Sequence, residues 1–248
     1  ATKLGRQAHV FPDNFTPGNL RGCTEGSLKR LGVDTLDLTQ LHCLPMEILQ
    51  NGEVFDSMRA QQDEGLVRNW GVSVESIEEA LLCLEQEGLT SLQIIFNVFR
   101  RKPVEVLFEK AKEKNVAIIV RLPLASGLLS GKLSADSTFA ENDHRSFNEA
   151  GQFFNVGETF AGLGLAKGCE LVEALKSFVP EGMNMAAMAL RWILDFDAVS
   201  TIIPGASHIE QTQANAAVSN LPSLPSELHE KLKSFYNEKV VFNVRGPY

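Results

Sequence analysis

Residues 36–73 read LDLTQLHCLPMEILQNGEVFDSMRAQQDEGLVRNWGVS. Two short apolar runs, Leu36–His42 and Val67–Ser73, have strand length and composition. Between them Glu53–Gln62 carries an amphipathic helical pattern, closed by Gly65. Strand, helix and strand at this spacing describe a parallel pair joined by a crossover. The rhythm continues outward in both directions. Upstream, Ala1–Gly5 reads as the end of a strand running into a loop, and Phe15–Leu31 as a helix. Thr16-Pro17 supplies that helix with an N-cap and a first-turn proline, and Gly32 with a C-cap.

Downstream, helices are predicted over Glu75–Glu87 (stopped by Gly88) and Val104–Lys114 (after Pro103), and a strand over Leu92–Asn97. Val116–Arg121 is almost wholly apolar, as a strand covered on both faces should be. Residues 124–166 break the period and read as a long excursion with short helical turns. Helices then follow over Leu171–Phe178 and Met183–Leu194, a strand over Val199–Ile203, and helices over Ile209–Val218 and Glu227–Tyr236. The chain is thus α/β with about six strands. Either an open doubly wound sheet or an eight-stranded barrel can close such a pattern. No GxGxxG follows a strand, which lowers the weight of a Rossmann reading. Polar residues recur at strand ends instead: Lys3, His42, Ser73, Gln93 and Arg121. That placement is what a barrel uses for chemistry.

Composition narrows the function classes. Of 248 residues, 44% are hydrophobic and 22% charged, a globular balance. With 23 Lys and Arg against 31 Asp and Glu, the net charge is −8, which argues against a nucleic-acid partner. No apolar run reaches membrane-spanning length, and ATKLGRQAHV at the start has no signal-peptide core, so a cytoplasmic location is expected. The cysteines at 23, 43, 83 and 169 and the five histidines show no close metal-ligand spacing, so no metal is expected.

The segments ATKLG, SLKRLGVDTLDLTQLH, GLVRNWGVS, LQIIFN, RLPLASGLLSGK and ALRWIL…VSTIIPGAS together resemble the aldo/keto reductase superfamily, in order and spacing, over nearly the whole chain. The similarity points to the branch of bacterial and ion-channel-beta-like members with an Arg before PLASG. The resemblance implies a (β/α)8 TIM barrel, here with about six of its eight strands. It also implies a nicotinamide-dependent oxidoreductase that reduces aldehydes or ketones to alcohols. NADPH is the favoured cofactor, with NADH (NAD) open, and the partner is a small-molecule carbonyl substrate. The expected organisation is one barrel domain over residues 1–248, lacking roughly the first quarter of a complete member. The long loop 124–166 would cover cofactor or substrate. Oligomeric state is left open.

The family's catalytic tetrad is Asp, Tyr, Lys and His. Lys3 and His42 match its Lys and His, whereas the only tyrosines, Tyr236 and Tyr248, lie outside the motif. Lys3 would lower a tyrosine pKa and His42 would orient and polarise a carbonyl. A satisfied core imidazole is the bland reading of His42. Ser73 and Gln93 match residues that hold the nicotinamide carboxamide, with Val74 standing where many relatives have Asn. Ser73 could equally be the N-cap of the following helix, and Gln93 an interior polar residue without chemistry.

Arg121 could face the nicotinamide ring or the pyrophosphate, or could pair with a loop carboxylate. Pro123, Leu124, Ser126, Gly127, Leu128, Ser130, Gly131 and Lys132 correspond to the pyrophosphate-side loop. Gly205, Ala206, Ser207, Gln211 and Asn215 correspond to the adenosine end. The position of Ser207, usually cationic in NADPH-selective relatives, is uncharged here. Glu158 could clamp adenosine hydroxyls or a loop amide. Trp70, Trp192 and Arg191 read as packing and structural residues. Two alternatives compete with a working reductase: a non-catalytic cofactor-binding or regulatory protein on the same scaffold, and an inactive truncated form.

Overall fold

The computed structural model describes residues 1–248. Six strands follow one another as neighbours in chain order: β1 (Thr2–Leu4), β2 (Leu36–His42), β3 (Val67–Ser73), β4 (Leu89–Ile95), β5 (Ala117–Arg121) and β6 (Val199–Ile202). The chain divides into two compact units, Ala1–Ile94 with Val106–Ile118, and Ile95–Glu105 with Ile119–Tyr248. No helix is long and apolar enough to cross a membrane.

In the first unit the caps act as the sequence dictates. Helix α1 (Pro17–Leu31) starts where the Thr16 hydroxyl accepts from the Asn19 amide, and ends on left-handed Gly32, whose N–H donates to the Leu28 carbonyl. A short helix that the periodicity did not reveal, α2 (Met46–Asn51), precedes α3 (Glu53–Asp63), with Gly52 ending one and opening the other. Helix α4 (Ile77–Leu84) is shorter than its apolar pattern suggests. Its N-cap is Ser76, in a reciprocal capping box with Glu79. This corrects the reading of Ser73 as the cap: Ser73 is the last residue of β3. The pattern over Val104–Lys114 resolves into α5 (Lys102–Val106) and α6 (Phe108–Glu113), broken at fully buried Leu107.

Strands β1 to β4 pair in parallel. Between β3 and β4 the register shifts: Trp70 pairs with Leu89, but Gly71 pairs with Ser91. Thr90 is the extra residue, and its hydroxyl donates to the Trp70 carbonyl at 2.7 Å. The bulge reverses which face of β4 meets which face of β3. It requires Gly71, because a Cβ there would lie 2.1 Å from Ser91 Oγ and 2.5 Å from its carbonyl oxygen. Trp70 is fully buried, with its ring centroid 6.0 Å from that of Phe55.

The second unit holds α7 (His144–Phe147), α8 (Leu165–Leu175), α9 (Met185–Leu194), α10 (Ile209–Ala217) and α11 (Ser226–Phe235). Residues 124–166 are an excursion built mainly of short 3₁₀ turns. Trp192 is fully buried between Phe96 and Phe196, both with centroids 4.9 Å away. Arg191 is structural, as its sequence context suggests: it donates twice to Asp195 Oδ1, at 3.0 and 2.8 Å. Asp195 Oδ2 meets the His229 Nε2 at 2.9 Å and the Leu224 amide at 2.9 Å, tying α11 to α9. Burial alone would raise this carboxyl's pKa, but the hydrogen bonds from Leu224, His229, Arg191 and Ser223 outweigh it and hold the group below the usual range.

Gly71→Ala is expected to destabilise the protein by about 2 kcal/mol, because backbone as well as side chain must move to admit the methyl. Urea unfolding measures this, and a change under about 0.5 kcal/mol would contradict the close approach at the bulge.

Candidate active site

Register places the polar strand ends of the first unit. Lys3 pairs with Gln40, Gln40 with Gly71, and Gly71 with Ser91. One layer further, His42 pairs with Ser73 and Ser73 with Gln93. Parallel partners face the same side, and residues two apart share a face. Lys3, Gln40, His42, Ser73, Ser91 and Gln93 therefore line one face of four adjacent strands. Hydrogen bonds run along it: Gln93 Nε2 donates to Gln40 Oε1 at 2.8 Å, and Gln40 Nε2 to Ser91 Oγ at 3.2 Å.

Lys3 and His42 are half-buried, whereas Ser73 and Gln93 are buried. The His42 carbonyl accepts from Arg6 Nε at 3.2 Å, and the Ser73 hydroxyl lies 3.6 Å from Cys43 Sγ. Gln93 is thus a member of an interior polar chain, the alternative its sequence left open.

The second unit contains an open cleft of 990 Å³. Pro123, Leu124, Ser126, Gly127, Ser130 and Lys132 line one part of it. Gly205, Ala206, Ser207 and Gln211 line another. These segments lie far apart in sequence and meet because the Ile203 amide donates to the Val120 carbonyl at 3.0 Å, setting the end of β6 beside the end of β5. The first segment is unusually bent. Leu122, Ala125, Ser126, Gly127 and Gly131 all have left-handed backbone, with φ of 52°, 48°, 57°, 95° and 72°. Each non-glycine residue held there costs roughly 1 kcal/mol, and such clusters mark functional loops. Asn97 Nδ2 secures the bend by donating to the Leu122 carbonyl at 2.9 Å.

Three residues expected at the cofactor are not among those that line this cleft. Leu128 is buried, and a Cβ on Gly168 would lie 2.4 Å from its side chain, so it packs on α8. Asn215 donates to the Gly205 carbonyl at 3.4 Å and shapes the loop without lining the cleft. Arg121, 8% exposed at the end of β5, has Nη1 2.6 Å from Glu158 Oε1. This is the carboxylate pairing weighed for it from sequence. In the 205–211 loop, Gln211 Oε1 accepts from the Ser207 amide at 2.7 Å and from its hydroxyl at 3.1 Å.

The cleft also includes Asn142, Asp143, His144, Arg145 and Phe147. Asp143 caps α7 by accepting from the Arg145 amide at 2.9 Å and receives the Arg145 guanidinium at 2.6 Å. The guanidinium stacks 4.2 Å from the Phe139 ring centroid. An Asp followed two residues later by Arg in a loop was the available sign of this cap. Lys132 and Arg145 give the cleft cationic side chains, Arg145 being paired with Asp143.

Parallel strands with polar groups at their C-terminal ends define a (β/α)8-type α/β fold, of which six strands are present. The chain belongs to the aldo/keto reductase family: residues 1–237 match it. It is 27% identical over 225 residues to the uncharacterized oxidoreductase YqkF of Bacillus subtilis (strain 168), covering 89% of this chain and 67% of that protein. To the aldo-keto reductase YhdN of the same organism it is 29% identical over 195 residues, covering 79% of this chain and 56% of that one. The chain thus spans just over half to two-thirds of these relatives' lengths. Among solved structures, the glycerol dehydrogenase AKR11B4 from Gluconobacter oxydans superposes with a TM-score of 0.75 at 25% identity, covering 97% of this chain and 72% of that one. An aldo/keto reductase from Klebsiella pneumoniae, solved in complex with NADP and acetate, shares the fold with a TM-score of 0.63 at 21% identity over 91% of this chain and 67% of that one.

Hydrogen bonds from Arg145, against the opposing effect of burial, push the Asp143 carboxyl down to about 2. The pair's contribution is therefore complete above the ordinary carboxyl range near ~4 and is lost as pH falls through the folded value. Carboxyl NMR should titrate Asp143 near that value in the wild type and near ~4 in Arg145→Gln. Equal midpoints in the two proteins would contradict the pairing.

Proposed function

We propose that the chain binds a nicotinamide dinucleotide, NADPH in preference to NADH, and acts in reducing the carbonyl group of a small aldehyde or ketone. The observation that carries this reading is the cleft of the second unit. It gathers the 123–132 and 205–211 segments, with backbone amides in left-handed turns and cationic side chains suited to phosphate. Its 990 Å³ volume suits a large nucleotide. Gly205 faces open space, so backbone can approach a ligand closely there.

In this proposal Ser126, Gly127, Ser130 and Lys132 hold the pyrophosphate. Gly205, Ala206 and Ser207 hold the adenosine end, with Gln211 turning away from Ser207 to release its amide and hydroxyl. Pro123 and Leu124 supply apolar wall, while Leu128 and Asn215 support the loops from behind. In the first unit, Ser73 and Gln93 offer the hydroxyl and the amide oxygen that a carboxamide requires. When bound, the nicotinamide supplies a hydride to the carbonyl carbon. The chain's own part is to orient that carbonyl and stabilise the charge developing on its oxygen. His42 does the first by hydrogen bonding, and the Lys3 ammonium contributes to the second from the neighbouring strand on the same face.

A second reading, binding without efficient turnover by these residues alone, is favoured by the tyrosines. Tyr236 donates to the Tyr248 hydroxyl at 2.9 Å, deep in the second unit. Burial pushes both phenols up, Tyr248 most. A proton-donating tyrosine needs the opposite shift. Residues 1–248 are therefore expected to bind NADPH yet to oxidise it only weakly with a reactive aromatic aldehyde, as followed at 340 nm. Robust turnover by this chain would overturn the second reading, and failure to bind either nucleotide would overturn the first.

Two substitutions separate the roles. Ser207→Ala should weaken NADPH roughly tenfold relative to NADH, since one donor to a phosphate is lost. His42→Ala should lower whatever turnover is present and leave nucleotide affinity intact. Titration of both nucleotides tests the pair; an unchanged NADPH-to-NADH ratio in Ser207→Ala would remove the role given to Ser207.

A further inference from the structure

We propose that Arg121, Glu158 and Ser126 form an ionic staple that joins two strained turns and fixes the cleft wall, making Glu158 a positioning residue for the dinucleotide; the last step rests on the cofactor reading above. Two runs of left-handed backbone lie in the second unit. One is Ala125, Ser126 and Gly127; the other is Phe160, Ala161 and Gly162, with φ of 51°, 56° and 81°. Runs of this kind do not hold themselves, because each non-glycine member is disfavoured by its own Cβ.

One contact joins the runs directly, from the Phe160 amide to Ser126, and two more converge on Glu158, two residues before the second run. Arg121 Nη1 meets Glu158 Oε1 at 2.6 Å, with side chains 10% and 22% exposed, so solvent screens the pair little. The Ser126 hydroxyl donates to the Glu158 carbonyl at 3.0 Å and accepts from the Phe160 amide at 3.1 Å. Glu158 is thus gripped twice, by its side chain from the end of β5 and by its backbone from the cleft wall.

The staple reaches both parts of the cleft. Ser126 is itself a lining residue. On the other side, the Phe160 ring centroid lies 5.7 Å from that of Phe139, on which the Arg145 guanidinium rests at 4.2 Å. Arg121 and Glu158 are not among the residues that line the cleft, and both are tied to Ser126, which is.

The experiment uses the full chain. Hydrogen exchange by mass spectrometry is followed without ligand, and NADPH affinity by fluorescence titration. Glu158→Gln keeps the shape and removes the charge. It should speed exchange in residues 122–130 and 155–163 and weaken NADPH binding, each roughly tenfold, with α9 and α11 unchanged. Glu158→Asp should recover most of both losses, which a role in packing alone would not produce. Ser126→Ala should accelerate the same two turns.

Wild-type exchange in Glu158→Gln would overturn the staple, and faster exchange with unchanged NADPH affinity would overturn its positioning role. If the wild type takes up neither NADPH nor NADH, the cofactor reading fails on its own. Faster exchange in Glu158→Gln would then still support the staple.

Discussion

The polar face of the first unit depends on one close contact, the backbone of Gly71 against Ser91. That contact admits the bulge at Thr90, and the bulge decides which residues of β4 face the same side as Gln40. Without it, Ser91 and Gln93 would point away from the strand ends that carry Lys3, His42 and Ser73. A missing side chain at one position thus aligns the chemistry of four strands. The surrounding apolar packing, with Trp70 and Phe55 at its centre, holds the register but does not choose it.

The second unit solves a different problem. Its cleft is walled by turns rather than by strands, and turns with left-handed residues need external support. Side chains provide it: Asn97 on Leu122, Ser126 between Glu158 and Phe160, and Arg121 on Glu158. At 2.6 Å and largely out of solvent, the Arg121 pair belongs to the strong class of charge-assisted bonds rather than to exposed surface pairs. Lys132 and Arg145 line the cleft, Arg121 supports Glu158, and Ser126 both lines the cleft and holds the Glu158 turn.

Much of this was legible in the chain itself. The bounds of β2 and β3 match their apolar runs, and α1 begins and ends on the Thr16 and Gly32 signals, because caps and short buried strands are local physics. The segments 123–132 and 205–211, which the family resemblance groups together, do line one cleft. Other features depend on tertiary contacts and could not be read. The cap reading of Ser73 fails because the strand claims Ser73 and the helix starts later, on Ser76. Leu128 sits inside a glycine-rich loop motif, yet its side chain fills the space opened by Gly168 in a distant helix. Arg145 escaped notice because a 3.6-residue period carries no information across an irregular excursion.

The central claim is that the cleft between the 123–132 and 205–211 segments is a dinucleotide site. A crystal structure of the chain grown with saturating NADP+ tests it most directly. The account predicts the adenosine phosphates in that cleft, against Ser126, Gly127, Lys132 and Ser207, with Gln211 rotated off Ser207. A dinucleotide seated on another surface while this cleft stays empty would contradict it.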